Sequence, residues 1–134
     1  MLGISEAFHP ASHHQNSPER LAQLSRIQTF HVGLWSYWLE KLRATPDGDG
    51  TLLDHTTILY GAGISNSQRH AGDNLPLMLV GGSSGRIKGG RHLKYTDKPM
   101  MANLLVTLMD KMDVPVDHVG GSNGKLQIDT LPGL

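Results

Sequence analysis

The sequence predicts an α/β fold, and three observations carry that expectation. Two stretches repeat apolar residues at three- and four-residue steps, as amphipathic helices do. Between them lie two short apolar runs without alternation, the pattern of strands buried on both faces of a mostly parallel sheet. Each run empties into a glycine-rich loop, and loops at the carboxyl ends of parallel strands are where such sheets place ligands. The order helix, strand, strand, helix completes the pattern, with helices flanking the sheet. No repeat, low-complexity tract or long linker interrupts the 134 residues, so positions 1–134 read as a single domain or part of one.

The elements follow from local chemistry. Residues 1–17 have no regular pattern but carry Phe8-His9-Pro10-Ala11-Ser12-His13-His14. Ser17-Pro18-Glu19 is a helix start: the serine can cap free N–H groups, proline is tolerated at the first position, and glutamate favours the positive end of the dipole. The helix is expected to run to about Arg43, with Leu24, Ile27, His31, Leu34, Trp38 and Leu42 on one stripe, widened by Trp35 and Leu39. His31 within that stripe reads as a packing histidine. Gly33 in the middle of the helix costs about 1 kcal/mol relative to alanine, which suggests close approach by another backbone. Thr45-Pro46-Asp47-Gly48-Asp49-Gly50 reads as a turn, because the later positions of an EF-hand loop are filled by residues such as Thr51 and Ile58.

The strands are Thr56-Thr57-Ile58-Leu59-Tyr60, followed by Gly61-Ala62-Gly63-Ile64-Ser65-Asn66, and Leu77-Met78-Leu79-Val80, followed by Gly81-Gly82-Ser83-Ser84-Gly85. Residues 86–96 suggest a short hairpin or excursion bearing Arg86, Lys88, Arg91, His92 and Lys94. Pro99 opens a second helix to about Met112, with Met101, Leu104, Leu105, Leu108 and Met112 on one face. From Val114 onward the pattern is that of a loop.

Composition narrows the chemistry. Twelve Lys and Arg balance twelve Asp and Glu, so there is no general electrostatic pull toward nucleic acid or an anionic membrane, and neither is expected as a partner. The absence of cysteine excludes a disulfide scaffold, a thiolate metal site, an iron–sulfur cluster and a cysteine nucleophile. Any metal must sit on nitrogen and oxygen donors. Apolar runs are too short to span a bilayer, which takes about 20 residues. No P-loop and no dinucleotide fingerprint follows a strand.

Eight histidines are the anomaly. His9 and His13 stand four apart, so on a helical turn both imidazoles face one way and can reach one ion. The competing reading is a histidine-rich turn whose rings only form hydrogen bonds. His14 then points elsewhere, to a second metal, a substrate or a proton transfer. His70, in the loop between the strands, closes a three-nitrogen site only if the fold brings it to the N-terminal cluster. Ser65 and Asn66 sit where a sheet-end nucleophile or ligand belongs, but Gly63-Ile64-Ser65-Asn66-Ser67 lacks the last glycine of a nucleophile elbow. His55, His92 and His118 have no partner pattern.

His9-Pro10-Ala11-Ser12-His13-His14 resembles the H-x-x-S-H-H signature of a bacterial family of unknown function named for that motif. The resemblance continues through Phe30-His31-Val32, the stretch from Leu52 to Gly61, Arg69-His70, Asn74-Leu75-Pro76 and Gly90-Arg91-His92, and so covers nearly the whole chain. That family is similar to the alkaline phosphatase and sulfatase superfamily. The likeness implies the C-terminal portion of an alkaline-phosphatase-like sandwich, with a mostly parallel sheet flanked by helices. It implies that His9, His13 and His70 ligate a divalent metal, zinc before manganese or calcium, with His14 and Asn66 as the remaining candidate catalytic residues. The substrate implied is a small anionic phosphate or sulfate ester. The superfamily's second acidic-histidine pair is replaced here by Gly61-Ala62-Gly63-Ile64-Ser65-Asn66, and its nucleophile belongs to an N-terminal half that has no counterpart in this sequence. The resemblance therefore implies part of an exported hydrolase-like protein, catalytically incomplete alone, with a non-catalytic metal-binding or assembly module as the alternative. An exposed sheet edge in such a part would favour self-association.

Overall fold

The computed structural model describes Ile4 and residues 6–129. It is a mixed α/β chain in the order α1 (Phe8–Ser12), α2 (Pro18–Ala44), β1 (Pro46–Asp47), β2 (Gly50–Thr51), α3 (Leu52–His55), β3 (Ile58–Gly61), β4 (Leu77–Val80) and α4 (Met101–Lys111). Expectations for residues 1–3, 5 and 130–134 lie outside the described residues. Two compact units divide the chain: Met1–Leu52 with Leu59–Met78, and Leu53–Ile58 with Leu79–Leu134. Among the described residues no helix is long and apolar enough to cross a membrane.

In the first unit α2 begins as its sequence dictates. Ser17 is the N-cap with extended backbone, Pro18 takes the first helical position, and the Ser17 oxygen accepts the Arg20 N–H at 3.4 Å. The same hydroxyl donates to Glu19 at 2.5 Å, and that bond, with a backbone one, holds the Glu19 carboxyl below its usual range. The covered side of α2 buries Leu24 and Ile27 and stacks Trp35 on Tyr60 of β3, with ring centres 4.3 Å apart and planes 18° from parallel. Its other apolar side chains stay open: Phe30, Leu34, Tyr37 and Trp38 are each exposed. His31 is exposed too, its ring 6.0 Å from that of Phe8, so it is a surface packing histidine and not a core one. Nothing lies within 4 Å of a Cβ built on Gly33, so the close approach expected there does not come from this chain's described residues. After α2, β1 and β2 pair antiparallel around the Asp47-Gly48-Asp49-Gly50 turn, with Gly48 at φ 58°.

The parallel sheet expected from the apolar runs is not what forms. β3 and β4 are neighbours in a two-stranded sheet, and they run antiparallel: the Ala62 N–H, just past the end of β3, donates to the Pro76 carbonyl just before β4. The physical reason lies in the connection. A parallel pair needs a crossover, usually a helix, and residues 62–76 contain none, folding instead into a turn closed by the Asn66–Ala71 bridge. Among the described residues the strands form two small antiparallel sheets, and an alkaline-phosphatase-like sandwich with a mostly parallel sheet is not shown.

In the second unit the glycines after β4 are required by packing. A Cβ on Gly81 or Gly82 would strike the carbonyl oxygens of Thr56 or Asp54, because Gly82 N–H donates to Leu53 O at 2.9 Å and Ser83 N–H to Thr56 O at 3.2 Å. Residues 86–96 form no hairpin. They are irregular, pinned where Arg91 donates to Lys88 O and where the Tyr95 hydroxyl donates to Gln127 O at 2.7 Å. Helix α4 supplies the core: Leu104 and Val106 are buried, as is Ile128 of the tail. The tail is held by polar groups of the same helix. Asn103 donates to the Asn123 side chain and accepts the Asn123 N–H, while Thr107 Oγ1 accepts the Leu126 N–H at 2.7 Å.

Candidate metal site

The three histidines chosen by spacing and resemblance are brought together in the first unit. His9 lies in the single turn of α1 and His13 caps it, so their ring centres stand 4.8 Å apart at 71°. The His70 ring meets His13 with centres 5.0 Å apart at 62°. His9 and His70 are exposed and His13 is half-buried, so the cluster opens to solvent.

Each motif residue has a local task. Ser12 is buried, and its hydroxyl donates to His9 O at 2.7 Å, tightening the turn. Arg20 of α2 donates to His13 O at 3.2 Å, which fixes the turn against the long helix. His14 is only 6% exposed; its Nδ1 accepts the Asn16 N–H at 3.0 Å and its carbonyl accepts Ser17 N–H. A nitrogen that accepts must carry the lone pair, so the neutral ring has its proton on Nε2. This ring locks the left-handed turn at Gln15 and Asn16, φ 50° and 58°. It does not face the His9–His13–His70 cluster through any ring contact among the described residues.

The loop that carries His70 is shaped by Asn66. The Asn66 side-chain oxygen accepts Arg69 N–H at 3.1 Å, its carbonyl accepts Ala71 N–H at 3.1 Å, and His70 sits between them at φ 51°. Asn66 thus serves as a turn residue, in the way asparagine side chains mimic a backbone turn. Two bonds tie this loop to the histidine motif: Ser67 Oγ donates to Ser12 O at 2.7 Å, and Gln68 Oε1 accepts Gln15 N–H at 2.8 Å. Ser67, Gln68 and Arg20 are the positioning residues that sequence reasoning missed. The first two lie 55 and 53 positions from their partners, and no one-dimensional pattern marks them.

The donor chemistry suits a divalent ion of the zinc class. With Zn–N bonds of about 2 Å and tetrahedral angles, two imidazoles on one ion have ring centres about 5 Å apart. The His9–His13 and His13–His70 separations of 4.8 and 5.0 Å match that value, while no ring contact joins His9 to His70 among the described residues. Among the described residues no set of three imidazole or acidic groups stands in a metal-holding arrangement; the rings meet edge to face. Rotation about χ2, a broad torsion for histidine, leaves a ring's centre nearly in place while re-aiming both nitrogens.

The nucleophile-elbow spacing absent at Ser65 recurs in the second unit as Gly81-x-Ser83-x-Gly85, a match that can be read from the sequence. Ser83 has φ 48° and follows a strand, as an elbow serine does, but it is 2% exposed and its Oγ has no hydrogen-bond partner. An elbow nucleophile needs access and an adjacent base. Ser83 is buried and its Oγ bonds no base among the described residues, and its loop is accounted for by the close backbone approach to residues 53–56. Compared with known proteins, the chain matches no family model, no curated protein and no solved structure.

Proposed function

We propose that His9, His13 and His70 form a divalent-metal site, with zinc favoured over manganese or calcium by its all-imidazole ligands, in a part of an exported hydrolase-like protein of the H-x-x-S-H-H type. The observation that carries the reading is that His70, from a distant loop, meets His13 at 5.0 Å while His9 meets His13 at 4.8 Å, so His13 stands against both other rings. A bound ion would supply Lewis-acid chemistry toward a phosphate or sulfate ester. The chain's own contribution is to hold the rings through Ser12, Arg20, Ser67 and Gln68 and to leave the solvent side open. A nucleophile is not part of that contribution, so this chain alone does not turn over esters.

A second reading, a non-catalytic metal-binding or assembly module, is favoured by one specific observation. His14 Nδ1 and Asn66 Oδ1, the two groups left for catalysis, are both engaged by backbone N–H groups. Titration with zinc followed by elemental analysis tests the shared claim: one ion per chain is expected. Loss of an outer partner already weakens metal sites by about 10–100-fold, so His9→Ala and His70→Ala are expected to weaken binding at least that much, while His92→Ala leaves it unchanged. A chain that stays metal-free in equimolar zinc overturns the proposal. Turnover of aryl phosphate or sulfate esters by the isolated chain would refute its catalytic incompleteness.

A further inference from the structure

The uncovered face of α2 has an internal symmetry that points to its occupant. Gln23, Arg26, Phe30, Gly33, Tyr37 and Glu40 recur at alternating steps of three and four, the spacing of a two-helix seam. Arg26 and Glu40 lie seven residues to either side of Gly33, about 10 Å along the axis in each direction. In an antiparallel pair crossing at Gly33, Arg26 of each copy therefore meets Glu40 of the other, twice by symmetry. Four residues to either side, Thr29 meets Tyr37. A shallow groove of about 300 Å³ lined by Ser25, Arg26, Thr29 and Phe30 is available to take the incoming tyrosine ring.

Three further facts favour a second copy of this chain. Glycine weakens a helix interior, yet among the described residues nothing outside its own stretch of helix comes within 4 Å of where its Cβ would be; a helix crossing at that point supplies the missing reason. On the seam itself Phe30 and Tyr37 are 47 and 62% exposed, with Leu34, 53% exposed, at its edge, so the apolar part of the face is open to a partner. Arg26 makes no ion pair among the described residues, and Glu40 has only the exposed Arg43 beside it on its own helix.

We propose that this face of α2 is an isologous dimer interface, in which the helices of two copies cross antiparallel about Gly33. The proposal is independent of the metal site. Sedimentation equilibrium over a concentration series tests it, with helicity monitored by circular dichroism. Wild type is expected to dimerise. Arg26→Glu places glutamates opposite glutamates and is expected to weaken the dimer by about tenfold or more. Adding Glu40→Arg restores it to within about threefold, since the charges are then exchanged and not removed. Gly33→Ala raises the helicity of the monomer while weakening the dimer, a pair of effects that misfolding cannot produce. A chain that is monomeric throughout overturns the proposal and leaves the face to a different protein. A dimer indifferent to Arg26→Glu and Gly33→Ala overturns it in favour of another surface, such as the sheet edge. Failure of the second charge to rescue overturns the antiparallel register.

Discussion

Helices α2 and α4 both carry apolar residues at three- and four-residue steps, α4 the more apolar and the more one-sided of the two, and they meet opposite fates. In 27 residues α2 buries only Leu24 and Ile27, whereas 11 residues of α4 bury Asn103, Leu104, Val106 and Thr107. Length and amphipathic pattern therefore say which side of a helix avoids water, and not whether the same chain covers it. What covers α4 is partly polar: Asn103 and Thr107 fasten an irregular tail whose Ile128 completes the core. Among the described residues no such tail covers the long helix, and its Phe30, Leu34, Tyr37 and Trp38 stay exposed.

The sharpest way to break this contrast is a matched pair of leucines. Leu104→Ala in α4 is expected to destabilise by about 3 kcal/mol through lost burial and a cavity. Leu34→Ala in α2, at a site 53% exposed, is expected to change stability by less than about 1 kcal/mol in dilute, monomeric solution. Urea unfolding measures both; equal effects would mean that α2 is covered after all. A smaller effect should come from the polar fastening. Asn103→Ala leaves the Asn123 N–H and side-chain oxygen without their partner, a loss of about 1–3 kcal/mol. It should also speed hydrogen exchange in the tail while leaving α2 untouched.

The smallest effect is one of pH. Burial, reinforced by Asp97 and opposed by Arg91, pushes the Tyr95 hydroxyl above its ordinary range, and the neutral phenol donates to Gln127 O. A group raised on folding contributes fully below its unfolded pKa, about 10 for tyrosine, and that contribution is lost as pH rises through the folded value. Tyr95→Phe should therefore flatten the alkaline limb of the stability profile and leave the acid limb alone. An unchanged alkaline limb would show that the tail is not held there.

Much of this was legible in the sequence because it is local. Ser17-Pro18-Glu19 announces the start of α2, Pro99 and the apolar steps announce α4, and the β-branched runs mark β3 and β4 within a residue or two. The strand direction was not legible: an apolar run looks the same in a parallel or antiparallel sheet, and only the fifteen-residue connection, which folds as a turn, decides it. The three histidines were found from spacing and resemblance. What holds them was not, since Ser67 and Gln68 act across more than 50 residues. His14 and Asn66 each accept a nearby backbone N–H, and a polar side chain that pins its own backbone looks, in one dimension, like one that awaits a substrate.

The division of the chain into Met1–Leu52 with Leu59–Met78 and Leu53–Ile58 with Leu79–Leu134 has a consequence for synthesis. The six residues 53–58 belong to the later unit but leave the ribosome before the earlier unit has received its second segment. They must wait through the emergence of residues 59–78 before the backbone of Gly82 and Ser83 arrives to meet Leu53 and Thr56. In a vectorially made chain, where segments fold as they appear, that interval leaves a short apolar-flanked stretch unclaimed. A nascent-chain chaperone, or simply slow translation past residue 78, would decide how often the two units close in their proper order.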